Sequence, residues 1–198
     1  VGGEKRERRT LEQAHLITGF DGVSYEDPDY HALAVYSTLL GGGMSSRLFQ
    51  EVRERRGLVY SIYSFSQSYD DGGLFGVYAG TGEREAHELL PLIANEMLDV
   101  CESVSADEVQ RARAQLKAST LMALESTSAR AEPAARQLQI YGRLIPVEET
   151  IARIDEVDEA AVLRVASRVL SSPLTFTAIG PIAGIEPYEK IAARFTAG

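Results

Sequence analysis

Two imidazoles one turn apart on a helix can converge on a zinc ion, as in His-Glu-x-x-His or its inverse His-x-x-Glu-His. The 3 histidines of this chain, His15, His31 and His87, fit neither spacing. His87-Glu88 runs on into Leu89-Leu90-Pro91 with no second imidazole. His15 falls in a strand-like stretch and His31 near a helix start. All three read as surface or locally hydrogen-bonded side chains, so no metal is assigned to this chain.

Other chemistry-bearing residues are equally scattered. Gly41-Gly42-Gly43 could cradle a phosphate, but a P-loop enters a helix from a strand and ends in Gly-Lys-Ser/Thr. These glycines follow a helix and precede Met44-Ser45-Ser46, which reads as a junction between two helices. The single cysteine, Cys101, excludes an intramolecular disulfide and a Cys-rich zinc site. It lies in a helical run with Leu98 and Val104 and reads as a small core residue. No Gly-x-Ser-x-Gly occurs, and the acidic residues from Glu83 to Glu108 read as a solvated helix face. No catalytic residue is assigned.

Arg53 and Tyr60 are the remaining candidates. Leu48, Phe49 and Val52 define the buried arc of a short helix, with Arg53 at its border and Glu54 pointing away. The plain structural reading gives Arg53, Arg55 and Arg56 to the negative end of the helix dipole. It makes Tyr60, on one strand face with Leu58 and Ile62, a half-buried sheet aromatic. The chemical reading is that a guanidinium and a phenol at a helix–strand corner donate hydrogen bonds to a peptide carbonyl or an oxyanion.

The elements that must position them follow from periodicity and turn residues. Residues 10–20 read as a strand ending at Asp21-Gly22. A helix follows with Asp27 as N-cap and Pro28 in its first turn, closing at the three glycines. Ser45 or Ser46 caps the next helix, and Gly57 closes it. Residues 58–68 and 73–81 alternate around Asp70-Asp71-Gly72-Gly73 and predict a hairpin. Residues 83–171 read as helical, with breaks at 103–105, followed by the cap-like Ser105-Ala106-Asp107-Glu108, at Glu132-Pro133 and at Ile145-Pro146. A late strand, 174–179, and a short helix, 187–195, complete the chain. This order predicts an α+β two-layer sandwich, with helices packed on one face of a mostly antiparallel four-stranded sheet.

At 198 residues the chain can bury a core without staples, and 44% apolar with 25% charged residues suits a globular domain. The net charge of −9 argues against a nucleic-acid partner. No apolar run reaches the roughly 20 residues of a membrane span. The polar opening predicts that residues 1–9 are a linker remnant of an excised or processed longer protein, with 10–198 a single domain.

The run from Leu39 to Ser61 resembles the segment that marks the C-terminal, zinc-free half of the pitrilysin/insulinase metallopeptidases (the inverzincins). The shared features are the Gly-Gly after a helix, Ser45-Ser46-Arg47-Leu48, Glu51-Val52-Arg53, and Gly57-Leu58-Val59-Tyr60-Ser61. Looser similarity covers almost the whole chain, closest to the processing-peptidase-like branch of bacteria and mitochondria. In that family two homologous halves enclose a chamber. One carries zinc through His-x-x-Glu-His and a distant Glu; the other supplies an Arg and, seven residues later, a Tyr that contact substrate near the scissile bond. The resemblance gives those two roles to Arg53 and Tyr60, and not to Arg55 or Arg56.

The resemblance therefore implies the substrate-binding, chamber-completing half of a zinc metalloendopeptidase acting on peptides or presequences, inactive alone. This chain would bind no cofactor, and the zinc would sit in a partner N-terminal half, on the same longer chain or a separate subunit. An extended peptide is the implied substrate. The implied compartment is the bacterial cytoplasm, with the periplasm or mitochondrial matrix as alternatives. A rival expectation is a non-catalytic scaffold or core subunit derived from the same family; a more distant one is a small-molecule enzyme on an unrelated α+β fold.

Overall fold

The computed structural model describes residues 2–196. Five strands form one sheet: β1 (Gly3–Arg8), β2 (Ala14–Asp21), β3 (Val59–Ser68), β4 (Gly73–Thr81) and β5 (Thr175–Gly180). Their spatial order is β1-β5-β2-β4-β3, so the late strand returns to lie between the two earliest ones. The β2–β4, β2–β5 and β3–β4 pairs are antiparallel, and only β1–β5 is parallel. The expected α+β class and mostly antiparallel sheet hold, with five strands in place of four.

The fifth strand is β1, in the segment expected to be a linker. Its sequence, Gly-Glu-Lys-Arg-Glu-Arg, has no apolar alternation to betray it. Long-range contacts order it instead. Every residue from Gly3 to Arg8 pairs with β5. The Arg6 guanidinium lies 5.4 Å over the Phe176 ring and donates to the carbonyls of Ile185 (3.1 Å) and Glu186 (2.5 Å).

Among the described residues seven α-helices accompany the sheet: α1 (Tyr30–Gly41), α2 (Ala86–Glu102), α3 (Ala106–Ala123), α4 (Thr127–Tyr141), α5 (Val147–Asp155), α6 (Glu159–Leu170) and α7 (Tyr188–Arg194). Apolar residues three and four apart explain how they pack. Helix α2 buries Leu89, Leu90, Ile93, Met97 and Val100, and α6 buries Val162, Val165, Ala166 and Val169. These stripes share one buried core with Leu16 and Phe20 of β2, Val77 and Ala79 of β4, and Phe176 and Ala178 of β5. Tyr36 of α1 stacks on Phe75 of β4 at 4.9 Å between centroids.

Three local expectations are corrected. Asp29, not Asp27, precedes α1; Asp27 instead accepts the Asp29 backbone N–H and pairs with Arg168 at 2.8 Å. Pro133 does not break α4. That helix buries none of its side chains, so the Ala129 carbonyl left without an N–H partner by the proline can face water. The break falls earlier, where the Ser126 hydroxyl accepts the Ala129 N–H. Ser46 does precede the next helical run, its carbonyl accepting the Gln50 N–H at 3.0 Å, but its hydroxyl donates back to the Gly43 carbonyl at 2.6 Å and does not cap a helix N–H.

Candidate functional site

The corner that holds Arg53 and Tyr60 begins where α1 meets β3. A Cβ at Gly41 would run into the Ser64 backbone, so only glycine permits this approach. The buried Ser64 hydroxyl donates to the Ser37 carbonyl across the contact at 2.5 Å. Beyond the glycines, Gln115 of α3 donates to the Gly42 carbonyl at 2.6 Å. Arg47 reaches Glu108 at 2.7 and 3.1 Å. Glu108 also accepts the Ser105 N–H in the capping box of α3, so one carboxylate ties this loop to a helix start. The Arg47 guanidinium holds the Glu108 carboxyl down to about 2.

The next helix, Phe49–Arg55, is a π-helix, a form found mostly as short insertions and often at functional sites. Leu48 and Val52 are fully buried beneath it. Arg55 and Arg56 both close on Glu51, at 2.8 Å each, and hold its carboxyl below the usual range. Arg53 is exposed, and its guanidinium carbon stands 4.9 Å over the Phe49 ring. Among the described residues it has no carboxylate partner. Of the three arginines, only Arg53 is held by an aromatic face with its donors open to a ligand.

Gly57 then takes φ +64°, a left-handed turn that costs a glycine little. Leu58 is fixed at both ends of its peptide: its N–H donates to Val52 at 3.1 Å and its carbonyl accepts from the Thr81 hydroxyl at 2.5 Å. Val59 pairs with Thr81 and Ser61 with Gly80, which leaves Tyr60 as the extra residue of a β-bulge. Strict alternation had put Tyr60 on one face with Ile62. The bulge breaks that parity: Val59 and Ile62 are buried, while Tyr60 is 63% exposed. It therefore projects from β3, which among the described residues pairs only with β4 and is an edge of the sheet.

The histidines do not converge. His15 Nδ1 lies 2.7 Å from the Tyr78 hydroxyl, and His87 stands 3.7 Å from Glu88. His31 sits at the start of α1, where burial and then Arg153 push its pKa down. Among the described residues no group of three or more His, Cys, Asp or Glu side chains could hold a metal ion. This donor set does not fit zinc. Burial raises the Cys101 thiol, which donates to the Met97 carbonyl at 3.5 Å and is suited to packing.

Two surfaces escaped the sequence reading. One sheet face carries no helix and presents a row across four strands: Tyr63 of β3, Tyr78 of β4, Ile17 of β2 and Thr177 of β5. Tyr63 and Tyr78 stack at 4.9 Å, and Tyr63 remains 47% exposed. The other surface is α4 with its flanks, where Leu121, Met122, Leu138 and Leu144 are exposed. Alternation along β2 could have revealed the first; α4 has no clear apolar stripe to reveal the second.

The fold and corner define an α+β domain with an arginine and a phenol beside an open sheet edge. Comparison with known proteins gives its family. The family model of the peptidase M16 inactive domain matches residues 1–116. An uncharacterized zinc protease of Streptomyces coelicolor is 42% identical over 175 residues, which cover 88% of this chain and 38% of that protein. A probable mitochondrial-processing peptidase subunit beta of Arabidopsis thaliana is 40% identical over 194 residues, covering 93% of this chain and 36% of that protein. A chain of complex III2 from Candida albicans superposes with a TM-score of 0.89 at 21% identity, over 100% of this chain and 50% of that one; this likeness concerns the fold alone. The chain belongs to the M16 peptidase family as its inactive, C-terminal domain. It spans less than half the length of these two curated relatives. Among the described residues no helix is long and apolar enough to cross a membrane.

Proposed function

We propose that this domain is the substrate-gripping half of a zinc metalloendopeptidase, completed by an N-terminal half that supplies the metal. The observation that carries the proposal is the pair at the open edge: an aromatic-backed, carboxylate-free Arg53 and a bulge-projected Tyr60. An extended peptide adding to β3 would satisfy that strand's unpaired backbone groups and bring a carbonyl within reach of both donors. The Arg53 guanidinium and the Tyr60 hydroxyl are both hydrogen-bond donors, so both can stabilise an oxyanion as peptide hydrolysis develops it. When bound in the other half, zinc would supply Lewis-acid chemistry at the scissile carbonyl. The uncovered sheet face, with Tyr63, Tyr78 and Ile17, is a surface that such a half could cover. The names of the two relatives support this reading, as does their greater length. We place the assembled enzyme in the bacterial cytoplasm.

The test is complementation. The domain is mixed with the N-terminal half of the Streptomyces coelicolor relative, and hydrolysis of a quenched fluorescent peptide library is followed. Chelator-sensitive cleavage by the mixture, with none from either half alone, supports the proposal. Equal cleavage by the N-terminal half without this domain contradicts it.

A further inference from the structure

At the opposite end of α1 from Gly41, about 18 Å along the helix axis, lies a cavity of ≈ 390 Å³. It opens between the loop that precedes α1, the C-terminal turns of α4, and α5. Its volume falls at the lower end of the range of small-molecule sites. The walls combine aromatic rings with guanidinium groups.

The rings are fixed. Tyr141 donates to the Tyr25 carbonyl at 2.9 Å, Tyr25 and Tyr30 lie 5.9 Å apart, and Tyr30 meets His31 edge-on at 5.1 Å. The charges are unevenly spent. Arg143 closes on Glu149 in bidentate fashion at 2.7 and 2.8 Å, and Arg153 shares the same carboxylate at 3.0 Å. Arg136 has no carboxylate partner among the described residues; its only side-chain partner is the Tyr25 hydroxyl at 3.4 Å. Glu26 and Asp27 also line the cavity, but Asp27 is neutralised by Arg168. Counting lining groups and their direct ion-pair partners, Arg136, Arg143 and Arg153 stand against Glu149 and Glu26. Within that set the surplus is one positive charge; Asp70 and Asp71 line a neighbouring cleft with Arg136 and make no ion pair with it among the described residues.

We infer that this cavity binds a monoanionic carboxylate with an apolar body, its carboxylate on Arg136 and its body among Tyr25, Tyr30 and Tyr141. A single surplus charge suits a monocarboxylate and is too small for a phosphate dianion. The planar guanidinium can meet both carboxylate oxygens at once. Pro28, Pro133 and Ile140 extend the apolar wall. The inference goes beyond the peptidase reading and stands apart from it, because the cavity shares no residue with the Arg53–Tyr60 corner.

The experiment is an NMR titration of the isotope-labelled chain with N-acetyl-L-leucine, N-acetyl-L-leucinamide and phenyl phosphate. The free acid is expected to shift the His31 ring and the backbone of α4 saturably, and the amide to leave them unmoved. Arg136 is solvent-exposed, so Arg136→Gln should fold normally while weakening the acid about tenfold or more, the loss expected for one hydrogen-bonded charged partner. Equal binding of the amide, undiminished binding by Arg136→Gln, or tighter binding of phenyl phosphate than of the acid would each overturn the assignment.

Discussion

The Arg53 guanidinium lies 4.9 Å over the ring of Phe49, one turn back on the same short helix, while Arg55 and Arg56 both turn to Glu51. An aromatic platform directs a cation without neutralising it. Such a contact at an exposed site contributes about 0.5–1 kcal/mol. Arg53→Ala should therefore change folding stability by at most about 1 kcal/mol in urea denaturation. Leu48→Ala, only five residues away but fully buried, should cost about 2–5 kcal/mol. Comparable losses from the two substitutions would mean that Arg53 is a structural residue.

Gly57 sets the direction in which Tyr60 leaves the helix. Its φ of +64° is disfavoured by about 1–2 kcal/mol for a residue with a Cβ. Gly57→Ala should lower stability by that amount although nothing lies within 4 Å of the added methyl. Gly72→Ala, equally open and without a positive φ, is the control and should cost well under half as much. The comparison of denaturation midpoints isolates backbone strain from packing.

Acid should loosen the loop before the π-helix. The Glu108 carboxyl is held at about 2 by Arg47 and by the Ser105 cap, below its ordinary 4.5. A carboxyl depressed in the folded state contributes its full stability above the unfolded value, and that contribution is lost as pH falls from about 4.5 toward 2. His31, whose pKa burial lowers from 6.5, acts in the same direction at higher pH: the folded chain resists its protonation, and stability declines as pH falls through 6.5. Thermal unfolding followed against pH should show both windows. Glu108→Gln should reduce only the lower one, to which Glu149, also held down to about 2 by Arg143, contributes as well.

Much of this architecture could be read from local sequence. The hairpin was legible because residues 58–68 and 73–81 alternate and Asp71-Gly72 marks the turn; the strands are Val59–Ser68 and Gly73–Thr81. The start of α3 was legible because Ser105 and Glu108 stand at capping-box spacing. What could not be read depends on partners distant in the chain. The strand β1 is polar and takes its order from β5 and from Arg6 over Phe176. The bulge at Tyr60 arises from pairing with β4, and it moved that side chain off the expected face. The choice of Glu51 by Arg55 and Arg56, which leaves Arg53 open, is a matter of rotamers on a π-helix that spacing alone reads as α.

The most direct test of the role given to Arg53 and Tyr60 is the turnover number of Tyr60→Phe in the enzyme assembled from this domain and a zinc-bearing N-terminal half. The substitution keeps the ring and its place on the bulge and removes only the hydroxyl. Loss of one oxyanion donor lowers kcat on the order of 10²–10³, and the account predicts a fall of that size with unchanged assembly and stability. Full turnover by Tyr60→Phe in the assembled enzyme would contradict it.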